Sequence, residues 1–261
     1  MNYFLNALYA EGLKIRKSKV VWIIMAAFTI APLMAGFFMF VLKSPVLAKN
    51  AGLLGAKAQI AGEASWPSYL SLLAQIISVG GILIFGFVTS WIFGREYADK
   101  TAKDLLALPY SRSIIVTAKF LIAMLTNFLL SIYIVCLGIF IGLMLGLPQW
   151  SHEIFTQGLY VLLVVTILTI LLSSPVAFFA CYSGGYLAPL GFVILTLVLS
   201  QIIAAAGFGD FFPWSIPAIY SGIAREAGAI GWNSFLIILA TGLIGFLSTL
   251  YWWLFTDQHE G

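Results

Sequence analysis

Of 261 residues, 62% are hydrophobic and 9% charged, against about 25% charged in an ordinary soluble domain, so a soluble globular fold is excluded. The formal net charge of +3 is spread thinly between apolar runs and offers no nucleic-acid surface. Six runs (20–42, 69–93, 120–146, 158–182, 186–206 and 234–255) reach the ~20 residues that cross a ~30 Å hydrocarbon core. They predict an all-α membrane protein with six transmembrane helices in a single domain, 1–261. Cys136 and Cys181 fall inside these runs, so neither a disulfide framework nor a metal-type cysteine spacing is present.

Residues 1–19 place a mildly apolar stretch before Lys14, Arg16, Lys17 and Lys19. A cleaved signal peptide has its basic residues first and a small-residue cleavage site after, so the first span is expected to be retained. Helical spacing groups Phe4, Leu5, Leu8 and Tyr9 on one face and leaves Asn6, Glu11, Lys14 and Lys17 elsewhere, which predicts an N-terminal interfacial helix. Beyond the first run, 43–68 is moderately polar, and Pro67 suits the first turn of the second span.

The segment 94–119 holds eight of the 23 Asp, Glu, Lys and Arg residues, between two long apolar runs. Thr101 and Asp104 have capping-box spacing. Ala102, Leu105 and Leu106 form one apolar face, Pro109 ends the segment, and Ser113 is placed to cap the next helix. The pattern predicts a short amphipathic helix held against the bilayer by the spans on either side. Leu105 and Leu106 would anchor a docked protein, while Glu96, Asp99, Lys103 and Arg112 would orient it at the rim.

The third run carries Gly138, Gly142 and Gly146 at four-residue spacing, a surface for close packing within the bundle. Ser183-Gly184-Gly185 predicts a tight turn between runs four and five, and Pro32, Pro175 and Pro189 are candidate kinks. The segment 207–233 is too apolar for a free loop and too interrupted by Pro213, Pro217 and glycines for a span. It predicts a re-entrant or interfacial element on the outer face, before the last helix.

Lys and Arg number nine in the segments that share a side with the N-terminus and four on the other, so both termini are expected in the cytoplasm. Trp22, Trp91, Trp252 and Trp253 then mark one interface, and Trp66, Trp150, Trp214 and Trp232 the other. None of the six runs contains Asp, Glu, Lys, Arg or His, which removes the intramembrane carboxylates that proton-coupled carriers use. His152 and His259 fall on opposite sides and cannot share a metal, and no G-x-x-x-x-G-K-[ST] occurs. The chain is expected to be non-catalytic, without metal or cofactor. Gln75, Asn127, Thr196 and Gln201 could line a substrate path, although interhelical hydrogen bonding accounts for each of them more simply.

Gly94, Glu96, Thr101, Leu105, Leu106, Pro109, Ser111, Arg112 and Lys119, with Glu11, Lys14, Arg16 and Lys19 upstream, resemble the motif pattern of type-2 ABC transporter permeases. The resemblance implies that 94–119 is a cytoplasmic coupling loop seated in a groove of a separate ATPase subunit. It makes Glu96, Asp99, Thr101, Lys103, Leu105, Leu106, Pro109 and Arg112 the contact residues, with ATP and Mg bound by that partner. It further implies export of a hydrophobic or amphipathic substrate across a bacterial plasma membrane by two copies, or by a pair of homologous permeases. Pro213-Trp214-Ser215-Ile216-Pro217 resembles the subset linked to peptide antibiotics. The competing reading is a passive channel or structural membrane protein without an ATPase partner.

Overall fold

The computed structural model describes residues 3–44, 63–101, 111–223, 228 and 230–255. In chain order its helices are α1 (Tyr3–Lys17), α2 (Lys19–Lys43), α3 (Trp66–Ala98), α4 (Arg112–Leu145), α5 (His152–Leu172), α6 (Ser174–Tyr182), α7 (Leu187–Ala205), α8 (Ile216–Tyr220) and α9 (Trp232–Phe255). All regular structure among the described residues is helical. Six stretches are long and apolar enough to span a bilayer: α2, α3, α4, α5 with α6, α7 and α9. The chain is an all-α membrane protein, as its composition predicts.

Local chemistry sets the helix ends. Ser18, Ser111 and Ser151 adopt extended backbone, and their hydroxyls accept from Val20 N, Ile114 N and Ile154 N, satisfying orphan amides of α2, α4 and α5. The cap of α4 is therefore Ser111, not the expected Ser113. The helix begins one half-turn earlier, and the Ser113 carbonyl accepts from the Thr117 hydroxyl inside it. Pro67 sits in the first turn of α3, where its missing N–H costs nothing. Pro175 does break its span: α5 stops at Leu172 and α6 restarts at Ser174, with proline in the first turn. Pro32 lies within a continuous α2, and Pro189 falls in the first turn of α7, where no backbone bond is lost, so neither breaks its helix.

Helix α3 and the α5–α6 pair form the centre of the bundle. In their most apolar stretches 56% and 67% of residues are buried, against 22–28% for the other four spans, which keep one broad face outward for lipid. Gly138 and Gly142 bring α4 onto α3: a Cβ on them would lie 2.6 Å from Leu73 Cδ1 and 2.7 Å from Trp66 Cη2. Gly146 serves differently, ending α4 at φ 55° in the left-handed region.

At the end of the bundle away from α1, every residue of α8 is buried, and α8 packs on α5 and on a widened π turn of α3, Ile76–Gly80. Within the predicted 207–233 element, residues 224–227 and 229 lie outside the described residues. Two tryptophans expected as interface anchors belong to the core instead. Trp66 packs edge-on against Tyr69 and Trp150, and Trp253 donates its indole N–H to Cys181 Sγ at 3.1 Å.

Candidate functional site

Three helices converge at the α1 end of the bundle. The face of α1 that carries Glu11 and Lys14, three residues apart, packs on α4, with Gly12 turned toward Ile122. The last turns of α3 supply Arg95 and Glu96, and α4 brings in Lys119 two turns after its start. Lys119 Nζ lies 3.1 Å from Glu11 Oε2 and 2.7 Å from Glu96 Oε1, and Lys14 Nζ lies 2.6 Å from Glu11 Oε1 and 2.8 Å from Glu96 Oε1. Arg95 reaches Glu11 Oε2 at 3.2 Å and lies over the Trp91 ring at 4.8 Å. Lys119 is fully buried, and Glu11 and Glu96 are nearly so.

This is an ion-pair node of three cations and two carboxylates. Ions removed from water persist only when paired at this quality, so each group depends on the others. The node ties α1 to the ends of α3 and α4 that flank residues 102–110. Beside it Lys14, Arg95, Glu96, Asp99 and Thr101 line a cleft of about 300 Å³, and Glu96 Oε2 is buried without a hydrogen-bond partner.

Burial pushes the Glu11 carboxyl up, but the charges of Lys119, Lys14 and Arg95 outweigh it and hold it below 4.5. Burial likewise pulls Lys14 down, and Glu11 and Glu96 outweigh it, leaving the ammonium above 10.5. A lowered carboxyl contributes stability above its unfolded value that is lost as pH falls through the folded one. A raised ammonium contributes below its unfolded value and loses that as pH rises through the folded one. Attachment of α1 is therefore expected to be strongest between about pH 4.5 and 10.5, weakening on both sides. Accessibility of an α1 surface label measured against pH checks this; a flat profile to pH 3 would contradict it.

The structure redistributes the residues expected at a docking rim. Asp99 and Thr101 are exposed, and Thr101 N–H bonds back to Glu96 O at 2.9 Å, closing the end of α3. Glu96 is buried and accepts from Lys14 and Lys119 inside the node. Arg112 turns onto the end of α9, donating to Trp253 O at 3.1 Å and Leu254 O at 3.4 Å. Lys103, Leu105, Leu106 and Pro109 lie outside the described residues, as does His259.

Gln75 donates to Ser71, Asn127 faces Thr89, Thr196 bonds its own helix at Val193, and Gln201 is exposed on α7.

In sequence, Glu11 and Lys14 lie off the apolar stripe of α1 and Lys119 is only a motif position. The signal for the node was there: Lys119 shares the helical stripe of Ile115, Val116, Phe120 and Ala123, all buried. A lysine on such a stripe needs a carboxylate partner.

A family profile described as ABC-2 family transporter protein matches residues 7–202. The chain belongs to the ABC-2 transporter family. The matched region contains every residue of the node. This ABC-2 permease is also similar to the bacitracin transport permease protein BCRB of Bacillus licheniformis, with 26% identity over 184 residues covering 70% of this chain and 88% of that protein. It is a multi-pass membrane permease subunit of an ABC transporter.

Proposed function

We propose that this permease is the membrane half of an ATP-driven exporter of a hydrophobic or amphipathic substrate, with ATP and Mg bound and hydrolysed by a separate ATPase subunit. Both termini lie in the cytoplasm, two copies or a pair of homologous permeases complete the pathway, and α1 rests in the cytoplasmic membrane interface. The relative's printed name specifies bacitracin transport, which favours a peptide antibiotic as the substrate.

One observation carries the reading: the buried node joins α1 to the ends of α3 and α4 on either side of residues 102–110. A push on the 102–110 segment is thereby delivered to two spans together instead of being lost in a loop. The ATPase seats its groove on Leu105 and Leu106, with Asp99 at the rim.

Co-expression with an ATPase subunit and affinity purification test this. Leu105→Asp is expected to weaken the complex by roughly 30-fold or more, since each fully buried leucine contributes about 2 kcal/mol. In vesicles the same change removes ATP-dependent peptide movement. Undiminished co-purification with Leu105→Asp and Leu106→Asp together would reject the docking face, and flux independent of ATP would favour a passive channel.

A further inference from the structure

The joint between α1 and α2 carries three exposed cations, Arg16, Lys17 and Lys19. Among the described residues, the ion pairs of Glu11 and Glu96 go to Lys14, Arg95 and Lys119, and none reaches these three. Both carboxylates of the node are therefore committed elsewhere, and the joint has no counter-charge of its own among the described residues.

Helical spacing separates the three. On α1, Leu5 and Tyr9 are exposed, and Arg16 lies two turns beyond Tyr9 on the same stripe. On α2, Lys19 begins the stripe of Trp22, Ala26, Ile30 and Leu33, every member of it exposed. Lys17 belongs to neither stripe: it points about 100° round α1 from Arg16, on the side of Asn6 and Ala10. Ser18 interrupts the helix with extended backbone, ψ 136°. Arg16 and Lys19, three residues apart, keep their Cα atoms within ~10 Å however the chain bends there.

Each exposed apolar stripe thus ends on a cation, and the two cations meet at the joint. Long cationic side chains in such a place lay their stems on apolar surface and hold their charges at headgroup depth. Trp22, 69% exposed one turn into α2, suits the same depth. We propose that this joint binds an anionic phospholipid, its headgroup phosphate between Arg16 and Lys19 and an acyl chain along the α2 stripe. Two unpaired cations favour a phosphate that carries no ammonium of its own, and the apolar stripe favours a lipid over a free phosphate. The inference rests on α1 lying in the membrane interface and is independent of ATP-driven transport.

The full-length permease in dodecyl maltoside is titrated with dioleoyl-phosphatidylglycerol or dioleoyl-phosphatidylcholine, and native mass spectrometry gives the affinity of the first lipid bound. Phosphatidylglycerol is expected to bind about 25-fold more tightly, at about fivefold for each cation near a headgroup. Arg16→Gln and Lys19→Gln should each lower that preference about fivefold, and together they should remove it. Lys17→Gln takes away the same charge off both stripes and should leave the preference nearly intact. All three residues are exposed and outside the node, so none of the variants disturbs its ion pairs. Millimolar inorganic phosphate should not displace the lipid.

Equal binding of the two lipids, the result expected if a second copy covers the α2 stripe, overturns the proposal. So does a loss from Lys17→Gln as large as that from Arg16→Gln, which identifies a diffuse charge effect. Displacement by inorganic phosphate overturns it as well, since the joint would then be a site for soluble anions. The position of α1 is read separately, by the oxygen accessibility of a nitroxide on Tyr9→Cys in vesicles. The chain for that label also carries Cys136→Ser, because Cys136 is exposed and Cys181 buried. A label in water together with no lipid preference rejects the interfacial α1; a label in the bilayer with no preference rejects the lipid site alone. Neither measurement needs an ATPase, so the transport reading is untouched by either failure.

Discussion

Glu11→Gln is expected to destabilise the permease by roughly 3–5 kcal/mol, more than any other single change in the node. Glu11 meets Lys14, Arg95 and Lys119, whereas Glu96 meets Lys14 and Lys119. The node holds three cations against two carboxylates, so neutralising Glu11 leaves one carboxylate to balance three buried or half-buried cations. Lys119→Met acts the other way, bringing the node to two cations against two carboxylates, and should cost less although Lys119 is the more deeply buried. The double variant should recover part of the loss, because Lys119 no longer needs the charge that Glu11→Gln removed. A coupling of about 0.5–3 kcal/mol is expected from residues in one network. Denaturant titration of the purified permease, followed by tryptophan fluorescence, measures all three. Strict additivity of the two single changes would mean that Glu11 and Lys119 do not share the node.

The loss has a functional side. On the proposed ATP-driven reading, if α1 lets go, the ends of α3 and α4 lose the brace that joins them, so ATP hydrolysis by the partner should persist while coupled transport falls. A variant that merely unfolds would lose complex assembly as well, and co-purification with the ATPase separates the two.

The spans were legible because hydrocarbon demands about 20 apolar residues whatever else the chain does, and all six runs reappear as helices, three of them within a few residues of their predicted ends, while α4 and α5 start earlier, at Arg112 and His152, and α3 runs on to Ala98. What sequence periodicity could not supply was the partner of each face. Phe4, Leu5, Leu8 and Tyr9 form the apolar stripe of α1, with Leu5 and Tyr9 left exposed on it, while Glu11 is buried against α3 and α4. Arg95, Glu96 and Lys119 meet the face of α1 that turns inward. Ionisable groups were counted within the apolar runs, and Lys119 stood one residue outside that boundary, although α4 continues past it as one helix. Burial also moves Glu96 from the rim where its motif position suggests it to the inside of the node.

Gly94→Ala carries the other large expected effect. A Cβ on Gly94 would sit 2.7 Å from both C and O of Gly185 and 3.1 Å from Tyr186 N. These are backbone atoms, so no side chain can swing aside to make room. The turn after α6 is pinned to α3 at this point, because one turn earlier Ser90 Oγ donates to Tyr186 O at 3.0 Å. A single methyl must therefore push the turn off α3 and break that bond, and overpacking of this kind costs about 1–3 kcal/mol before the lost hydrogen bond is added. Gly191→Ala provides the contrast within the same bundle. Gly191 lies inside α7 with nothing within 4 Å of the added Cβ, so the better helix propensity of alanine should leave the permease unchanged or stabilise it by up to about 1 kcal/mol. Unfolding midpoints of the two variants should move apart, Gly94→Ala downward and Gly191→Ala level or upward. If both fall together, helix-interior glycines matter here for a reason other than close backbone approach. If Gly94→Ala holds its midpoint, the turn is free to move away from α3.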